Sequence, residues 1–328
     1  MKILFIGGTG VISSACSALC SENGDDLYLL NRGNVQLPEE VNYKLLKGDI
    51  WDFNNIKSLI AEHTFDVVVE WVAYSPDRVE RDYNLFKNKT GQYILISSAS
   101  AYQKPKIWRP ITEDVPLINP FWTYSQAKIK CEETALTFYR KEGFPVTIVR
   151  PSHTYDKTKI PLFGGFNSID RLLHGKKIII HGDGTSLWTL THQKDFAKGF
   201  IGLFGKKEAI GEAYHITSDE VLTWDQICNT IADALGVKAR IIHIPADFIY
   251  HFDNEWGDGL LGDKSHCMVF DNSKIKNIVP GFKAVIPYKL GAKEIVDWYL
   301  SDISRQKVDE VINWKIDEII GWYEKGVR

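Results

Sequence analysis

The opening thirteen residues constrain the fold of this chain more than any other stretch. Ile3-Leu4-Phe5-Ile6 is a continuous apolar run, Gly7-Gly8-Thr9-Gly10 follows at once, and Val11-Ile12-Ser13 starts a helical pattern. Strand, glycine turn and helix start in that order open a βαβ unit. Glycines let backbone approach a pyrophosphate, and a helix N-terminus turns N–H groups and positive dipole toward it. Gly7, Thr9, Gly10, Val11 and Ile12 are therefore the expected phosphate-binding residues. Ser13 stands at the usual third glycine position and is small enough for close helix–strand packing. An ordinary βα turn can carry an isolated G-x-x-G; the place of this one at the head of a βαβ unit argues for a dinucleotide.

The same alternation continues. Strand candidates lie at 2–6, 26–30, 43–47, 67–70, 93–96 and 146–150, with helical candidates at 11–22, 54–62, 76–87 and 123–142 between them. Strands of near-continuous Ile, Leu and Val suit a sheet covered on both faces, so the expected fold class is α/β, a Rossmann-type doubly wound parallel sheet. After Pro151 glycines cluster, and a strand candidate at 177–180 precedes helical candidates at 195–204, 223–235 and 289–300 and a C-terminal pair. The reading is a dinucleotide-binding domain over 1–155, with returning segments near 192–217, and a smaller α+β substrate-binding lobe over 156–328, interleaved with the first.

Composition then removes several function classes. The 39 Lys and Arg against 42 Asp and Glu, a net charge of −3, speak against a broad nucleic-acid surface. Cys16, Cys20, Cys131, Cys228 and Cys267 form no CxxC pair and read as reduced thiols of a cytoplasmic protein. The histidines show no HxH or HxxxH spacing, so no metal site is expected. No apolar run reaches the ~18 residues of a membrane span, and Met1-Lys2 lead straight into a core strand rather than a signal peptide. Ten tryptophans are an excess to be explained. Trp298, Trp314 and Trp322 sit at helical spacing and are expected to be packing residues, while Cys16 and Cys20 face the sheet as small hydrophobes.

Cofactor choice rests on the end of the second strand. An acidic residue there would bond the ribose 2′-OH and favour NAD; the chain has Asn31, then Arg32, whose guanidinium suits a 2′-phosphate. NADP is therefore expected ahead of NAD. Asp49 and Ile50, after the third strand, are placed to flank the adenine. Tyr124 and Lys128, four residues apart, share one face of the long helix. A lysine cation near a phenol lowers its pKa, so that the tyrosinate can take or return an alcohol proton during hydride transfer. Ser98, at the end of the fifth strand, offers a hydroxyl to hold the substrate oxygen beside Tyr124.

Taken together, these residues resemble the extended short-chain dehydrogenase/reductase superfamily, specifically the NAD-dependent epimerase/dehydratase family. The match is carried by Gly7-Gly8-Thr9-Gly10, Gly48-Asp49, Ser98, Tyr124 with Lys128, and Arg150-Pro151-Ser152-His153-Thr154-Tyr155. Gly182-Asp183-Gly184, Asp195 and Asp271-Asn272-Ser273-Lys274 add to it. The resemblance implies Tyr124 as general acid/base, Lys128 as its tuner and ribose anchor, and Ser98 as the substrate-orienting hydroxyl. It also implies Val72, Ala73 and Pro151 beside the cofactor, a carbohydrate-like small-molecule substrate, and a homodimer through helices 76–87 and 123–142.

The departures bear on the substrate. Family dehydratases carry Asp-Glu after the Ser98 equivalent; Ala99-Ser100 here speaks against dehydration by that route. Where the family grips a diphosphate with arginine this chain has Trp188, and its usual Asn is His153. Tyr74, Ser100, His153, Trp188 and His192 are the expected substrate-side residues. These changes are similar to those of an atypical branch that includes chloroplast stem-loop RNA-binding proteins, whose members can lose the Tyr/Lys pair kept here. The expected function is a nicotinamide-dependent epimerase or oxidoreductase acting on a sugar, nucleotide-sugar or sugar-like alcohol or ketone. The alternatives are a simple NADPH-dependent ketoreductase and a non-catalytic RNA-binding or cofactor-sensing relative.

Overall fold

The structure, a computed structural model, describes residues 1–105 and 110–326. The chain starts in the middle of its main sheet. β1 (Lys2–Ile6), β2 (Asp26–Asn31) and β3 (Lys44–Lys47) run outward, then β4 (Phe65–Glu70) crosses to the other side of β1, followed by β5 (Thr90–Ile96) and β6 (Val146–Pro151). The chain leaves the sheet through β7 (His153–Tyr155), β8 (Lys177–His181), β9 (Leu187–Trp188) and β10 (Leu190–His192). It returns as β11 (Ala213–Ile216), which pairs with β6 and completes the order β11-β6-β5-β4-β1-β2-β3, seven strands among the described residues. Every pairing in this sheet is parallel. In the second lobe β12 (Leu222–Thr223) pairs with β9 and β13 (Arg240–Ile244) with β8.

Side-chain alternation along the strands decides which helix covers which face. Ile3, Phe5, Val67 and Val69 meet Cys16 and Cys20 of α1 (Val11–Glu22). Leu4, Ile6, Val68 and Leu95 face α2 (Phe53–Leu59), α3 (Pro76–Phe86) and α4 (Thr123–Glu142). After α5 (Phe166–Leu173), α6 (Gln193–Ile201) joins α1 on its face through Phe196 and Phe200. The topological break between β1 and β4 opens a crevice at their C-terminal ends, where sheets of this kind bind ligands.

The second lobe has its own core, built by α5, β8, α7 (Trp224–Ala234) and, after α8 (Ala246–Phe252), α9 (Asn254–Gly259) and α10 (Ser273–Ile278), by α11 (Tyr288–Leu300). α12 (Glu310–Gly326) closes the chain. Here the tryptophan expectation needs correction. Trp314 and Trp322 are 63% and 57% exposed, because Ile316, Ile319 and Ile320 take the buried face of α12. Trp298 is half-buried, edge-on to Tyr299. No helix of the described residues is long and apolar enough to cross a membrane.

Candidate active site

The glycine turn lies at the break in the sheet. Gly7 and Gly8 have φ of +105° and +94°, and a Cβ on Gly8 would stand 2.5 Å from the Leu29 side chain, so both positions need glycine. Asn31 braces the turn: Nδ2 donates to the Gly7 carbonyl at 3.0 Å, and Oδ1 accepts from Gly33 N–H at 2.8 Å. Ser13 Oγ accepts from Gly10 N–H at 2.8 Å, and Ser17 Oγ donates to the Gly8 carbonyl at 2.9 Å. Ser13 is thus a cap for the turn as well as a small residue. The open N–H groups of the first turn of α1 then face the cleft.

Three clefts run end to end. One of 300 Å³ is lined by Asn31, Arg32, Asp49, Ile50, Trp51 and Arg78. It shares Gly7, Thr9 and Val72 with a second, of 460 Å³, that also takes in Gly10, Val11, Ile12, Tyr74, Pro151 and the two residues Tyr124 and Lys128. The second shares Tyr124, His153 and Ile160 with a third of 510 Å³ walled by Trp122, Trp224 and Trp256. At the far end Arg78 stacks on Trp51 with its guanidinium carbon 3.9 Å from the ring centre and donates to the Val72 carbonyl. Asp49 Oδ1 accepts from Trp51 N–H at 3.0 Å. Arg32 is exposed and makes no ion pair among the described residues.

The first two clefts fit a dinucleotide. Their joint is the glycine turn, whose Gly7 and Thr9 line both, and the Ser97 hydroxyl borders the second cleft, buried and without a partner among the described residues. An orphaned buried hydroxyl destabilises a fold unless a ligand engages it. Gly7, Thr9, Gly10, Val11 and Ile12 would hold the pyrophosphate, with Ser97 and Pro151 beside the nicotinamide half.

At the seam between the second and third clefts, α4 and the ends of β4 and β5 converge. Lys128 is buried and donates to the Ala73 and Ile96 carbonyls at 2.7 and 2.9 Å, with Nζ 4.4 Å from the Tyr74 ring centre. Ala73 therefore serves through its carbonyl and is itself fully buried. Burial pulls the Lys128 ammonium down to about 8, with Cys131 and Glu70 opposing the shift. Burial pushes the Tyr124 phenol up to about 12, and the Ser98 hydroxyl pulls against the rise. The expectation that Lys128 holds the phenol low does not describe this geometry: its charge is tied to two carbonyls, and desolvation dominates. Ser125 Oγ donates to Ser100 Oγ at 2.7 Å, and Ser100 Oγ lies 2.9 Å from Ser98 Oγ. With Ser100 as donor to Ser98, the Ser98 hydroxyl hydrogen is free for Tyr124 or a substrate; with Ser98 as donor it is not.

Three substrate-side expectations are corrected. Ser100 is buried, its hydroxyl engaged between Ser125 and Ser98, and it lines none of the three clefts. His192 is buried and caps α6: Nδ1 accepts from Lys194 N–H at 3.3 Å, and Nε2 lies 3.1 Å from Glu294. Trp188 is 1% exposed and off the cleft wall; its indole N–H donates to His153 Nδ1 at 3.0 Å. His153 and half-exposed Tyr74 do line the clefts. Burial, with Lys264 second, pulls His153 down to about 3, so the ring is neutral and carries its proton on Nε2.

Sequence reasoning missed Ser97, Trp122, His181, Trp224, Trp256 and Lys264. The excess of tryptophan was the available signal for three of them; Lys264 sits in no motif.

Comparison with known proteins follows the same lines. A model of the NAD dependent epimerase/dehydratase family matches residues 3–217. The Arabidopsis thaliana chloroplast stem-loop binding protein of 41 kDa b is 30% identical over 267 residues, covering 75% of this chain and 67% of that protein. Human dTDP-D-glucose 4,6-dehydratase is 23% identical over 336 residues, covering 93% and 92%. Among solved structures, an epimerase from Methanothermobacter thermautotrophicus superposes with a TM-score of 0.76 at 17% identity, over 93% of each chain. UDP-glucuronic acid 4-epimerase from Bacillus cereus, in complex with UDP-glucuronic acid and NAD, gives 0.72 at 19%, over 92% and 99%. The shared feature at these identities is the fold.

Proposed function

This chain belongs to the NAD-dependent epimerase/dehydratase family, and from that premise we propose that it is an epimerase or reductase of a sugar-like alcohol or ketone, with Tyr124 as general acid and base. The observation that carries the reading is the position of Tyr124 on the wall common to the dinucleotide-sized trough and the aromatic cleft. When bound, the nicotinamide ring supplies the carbon that exchanges hydride. Tyr124, pushed up to about 12, is protonated near neutral pH and suited to give its proton to a carbonyl oxygen. In the reverse direction the Ser98 hydroxyl, which pulls against the rise of the Tyr124 phenol, shares the phenolate charge. His153 offers an Nε2–H to a substrate oxygen in the same space.

Tyr124→Phe removes the proton and leaves the ring. Turnover on a panel of sugars should fall by roughly 10²–10⁴-fold, with dinucleotide affinity unchanged; unaltered turnover overturns the assignment. Net consumption of NADPH marks a reductase, whereas isomerised sugar with no net consumption marks an epimerase.

The finer parts of the reading go with it. NADP is preferred over NAD, since Arg32, at the adenosine end, has no ion-pair partner among the described residues and no carboxylate ends β2. Arg32→Ala should weaken NADP by about tenfold or more and NAD hardly at all; equal losses in the two titrations would refute the preference. Residues 1–155 with 192–217 form the cofactor domain and 156–328 the substrate lobe. The protein works in the cytoplasm, its thiols reduced, and as a homodimer through α3 and α4; a single-protomer mass by light scattering excludes the dimer. The Arabidopsis relative raises RNA as a rival ligand. Retention of Ser98, Tyr124 and Lys128 favours chemistry, and tight, salt-dependent binding of a stem-loop RNA would reverse that preference.

A further inference from the structure

The aromatic cleft contains an ammonium that no carboxylate meets in an ion pair among the described residues. Lys264 ends a π-helical turn, Leu260–Lys264, that follows α9; such turns recur at functional sites. Its side chain lines the cleft with Trp122, Trp224 and Trp256, and Nζ lies 5.5 Å from the Trp122 ring centre. Among the described residues the Lys264 ammonium makes no hydrogen bond or ion pair, while the backbone carbonyl of the same residue accepts from His181 Nε2, Ser186 Oγ and the Trp224 indole N–H. Two carboxylates, Asp263 beside it in the chain and Glu255 on the same cleft, are otherwise placed. Asp263 lies 3.7 Å from Lys104, and Glu255, on the cleft rim, is exposed. Burial holds the Lys264 amine below its usual range, Asp263 opposing the shift. Desolvating an ammonium without a partner destabilises a fold, so a chain that keeps one in a cleft holds it ready for an anion.

We propose that Lys264 grips a single phosphate or carboxylate on the substrate, which makes the substrate an anionic sugar rather than one joined to a nucleotide diphosphate. The proposal rests on the enzymatic reading above. Lysine is a point charge that accepts either anion, and no arginine among the residues lining this cleft adds the bidentate fork that would give a diphosphate geometric specificity. The position at which the resemblance puts that arginine is Trp188, neutral and buried, its N–H engaged by His153. Tyr124 and Lys264 line one 510 Å³ space, so the reacting carbon and the anion can be held at once while the indole walls cover the sugar face.

The test is titration calorimetry of the full chain with its dinucleotide bound, using glucose 1-phosphate, glucuronate, glucose and UDP-glucose as probes. At least one of the two singly functionalised anions should bind about tenfold or more tighter than glucose. Lys264→Gln should abolish that preference without changing dinucleotide affinity, and Lys264→Arg should keep it. Equal binding of charged and neutral probes, or no binding of either anion, overturns the proposal. So does a preference that survives Lys264→Gln, or UDP-glucose outranking both anions irrespective of Lys264. The Tm of Lys264→Gln should not fall, because an unpaired charge is removed; a fall would mark the lysine as structural. Tyr124→Phe, which tests the enzymatic reading by turnover, should leave the ratio of charged to neutral probe affinity in place, since both kinds of probe meet the phenol alike, so the two ideas fail separately.

Discussion

Trp188 and His153 stand 35 positions apart in the chain and 3.0 Å apart in space. Each was a departure from the family pattern by itself; together they form one hydrogen-bonded couple. The indole N–H can only donate, so it fixes His153 with Nδ1 as acceptor and the proton on Nε2. Trp188→Phe keeps most of the ring and removes this constraint. KM for the sugar should rise by about three- to tenfold with a smaller effect on kcat, and the ¹⁵N shifts of His153 should move toward a mixture of tautomers. An unchanged tautomer would show that the couple does not position the ring. Neither partner of such a pair is legible in sequence: a motif fixes which residues are unusual, not which of them touch. The motif alone thus places Trp188 on the cleft wall, whereas in the fold it stands behind it, bonded to His153. Ser100 and His192 went the same way, because a hydroxyl or imidazole near a motif reads alike whether it faces a cleft or a buried neighbour.

At the scale of the element, α4 explains both a success and a blind spot. Its ends are written plainly, with Gly143 in the left-handed region at its C-terminus and Pro145 beyond. The face it buries is not written, since Ser125, Lys128 and Glu132 lie there beside Cys131 and Ala135, each polar group matched by a buried partner. Glu132 takes the Arg150 guanidinium through Nε at 3.0 Å and Nη2 at 2.7 Å. Glu132→Ala would strand that cation under the sheet and should lower stability by about 3–5 kcal/mol in urea denaturation; a loss below about 1 kcal/mol would mean that water or relaxation replaces the carboxylate. The strands β1, β2, β4, β5 and β6, in contrast, are legible from their apolar centres, which both faces of the sheet bury, while polar ends such as Phe65-Asp66 and Thr90-Gly91-Gln92 hide where β4 and β5 begin.

For the whole molecule, the main sheet is finished only by residues far from its start. β11 supplies an edge, α6 covers α1, and Ile275 and Phe282 add to the same core. β11 and α6 are long enough to show as elements in the sequence, whereas the contribution of 275–282 comes from a short segment whose pattern is too brief to read. The aromatic cleft was likewise invisible as a cleft, because Trp122, Trp224 and Trp256 come from three separate elements of the chain.

Lys128 ties the ends of two neighbouring strands through the carbonyls of Ala73 and Ile96. Without its ammonium both oxygens would be stranded in a site with little water, and the strand ends would be freed to move. The lysine is thus held by architecture as firmly as by chemistry. A descendant of this fold that had given up its reaction would be under pressure to keep the lysine long after it had stopped needing the phenol. Of the two residues, Tyr124 is the one whose survival speaks for an active enzyme.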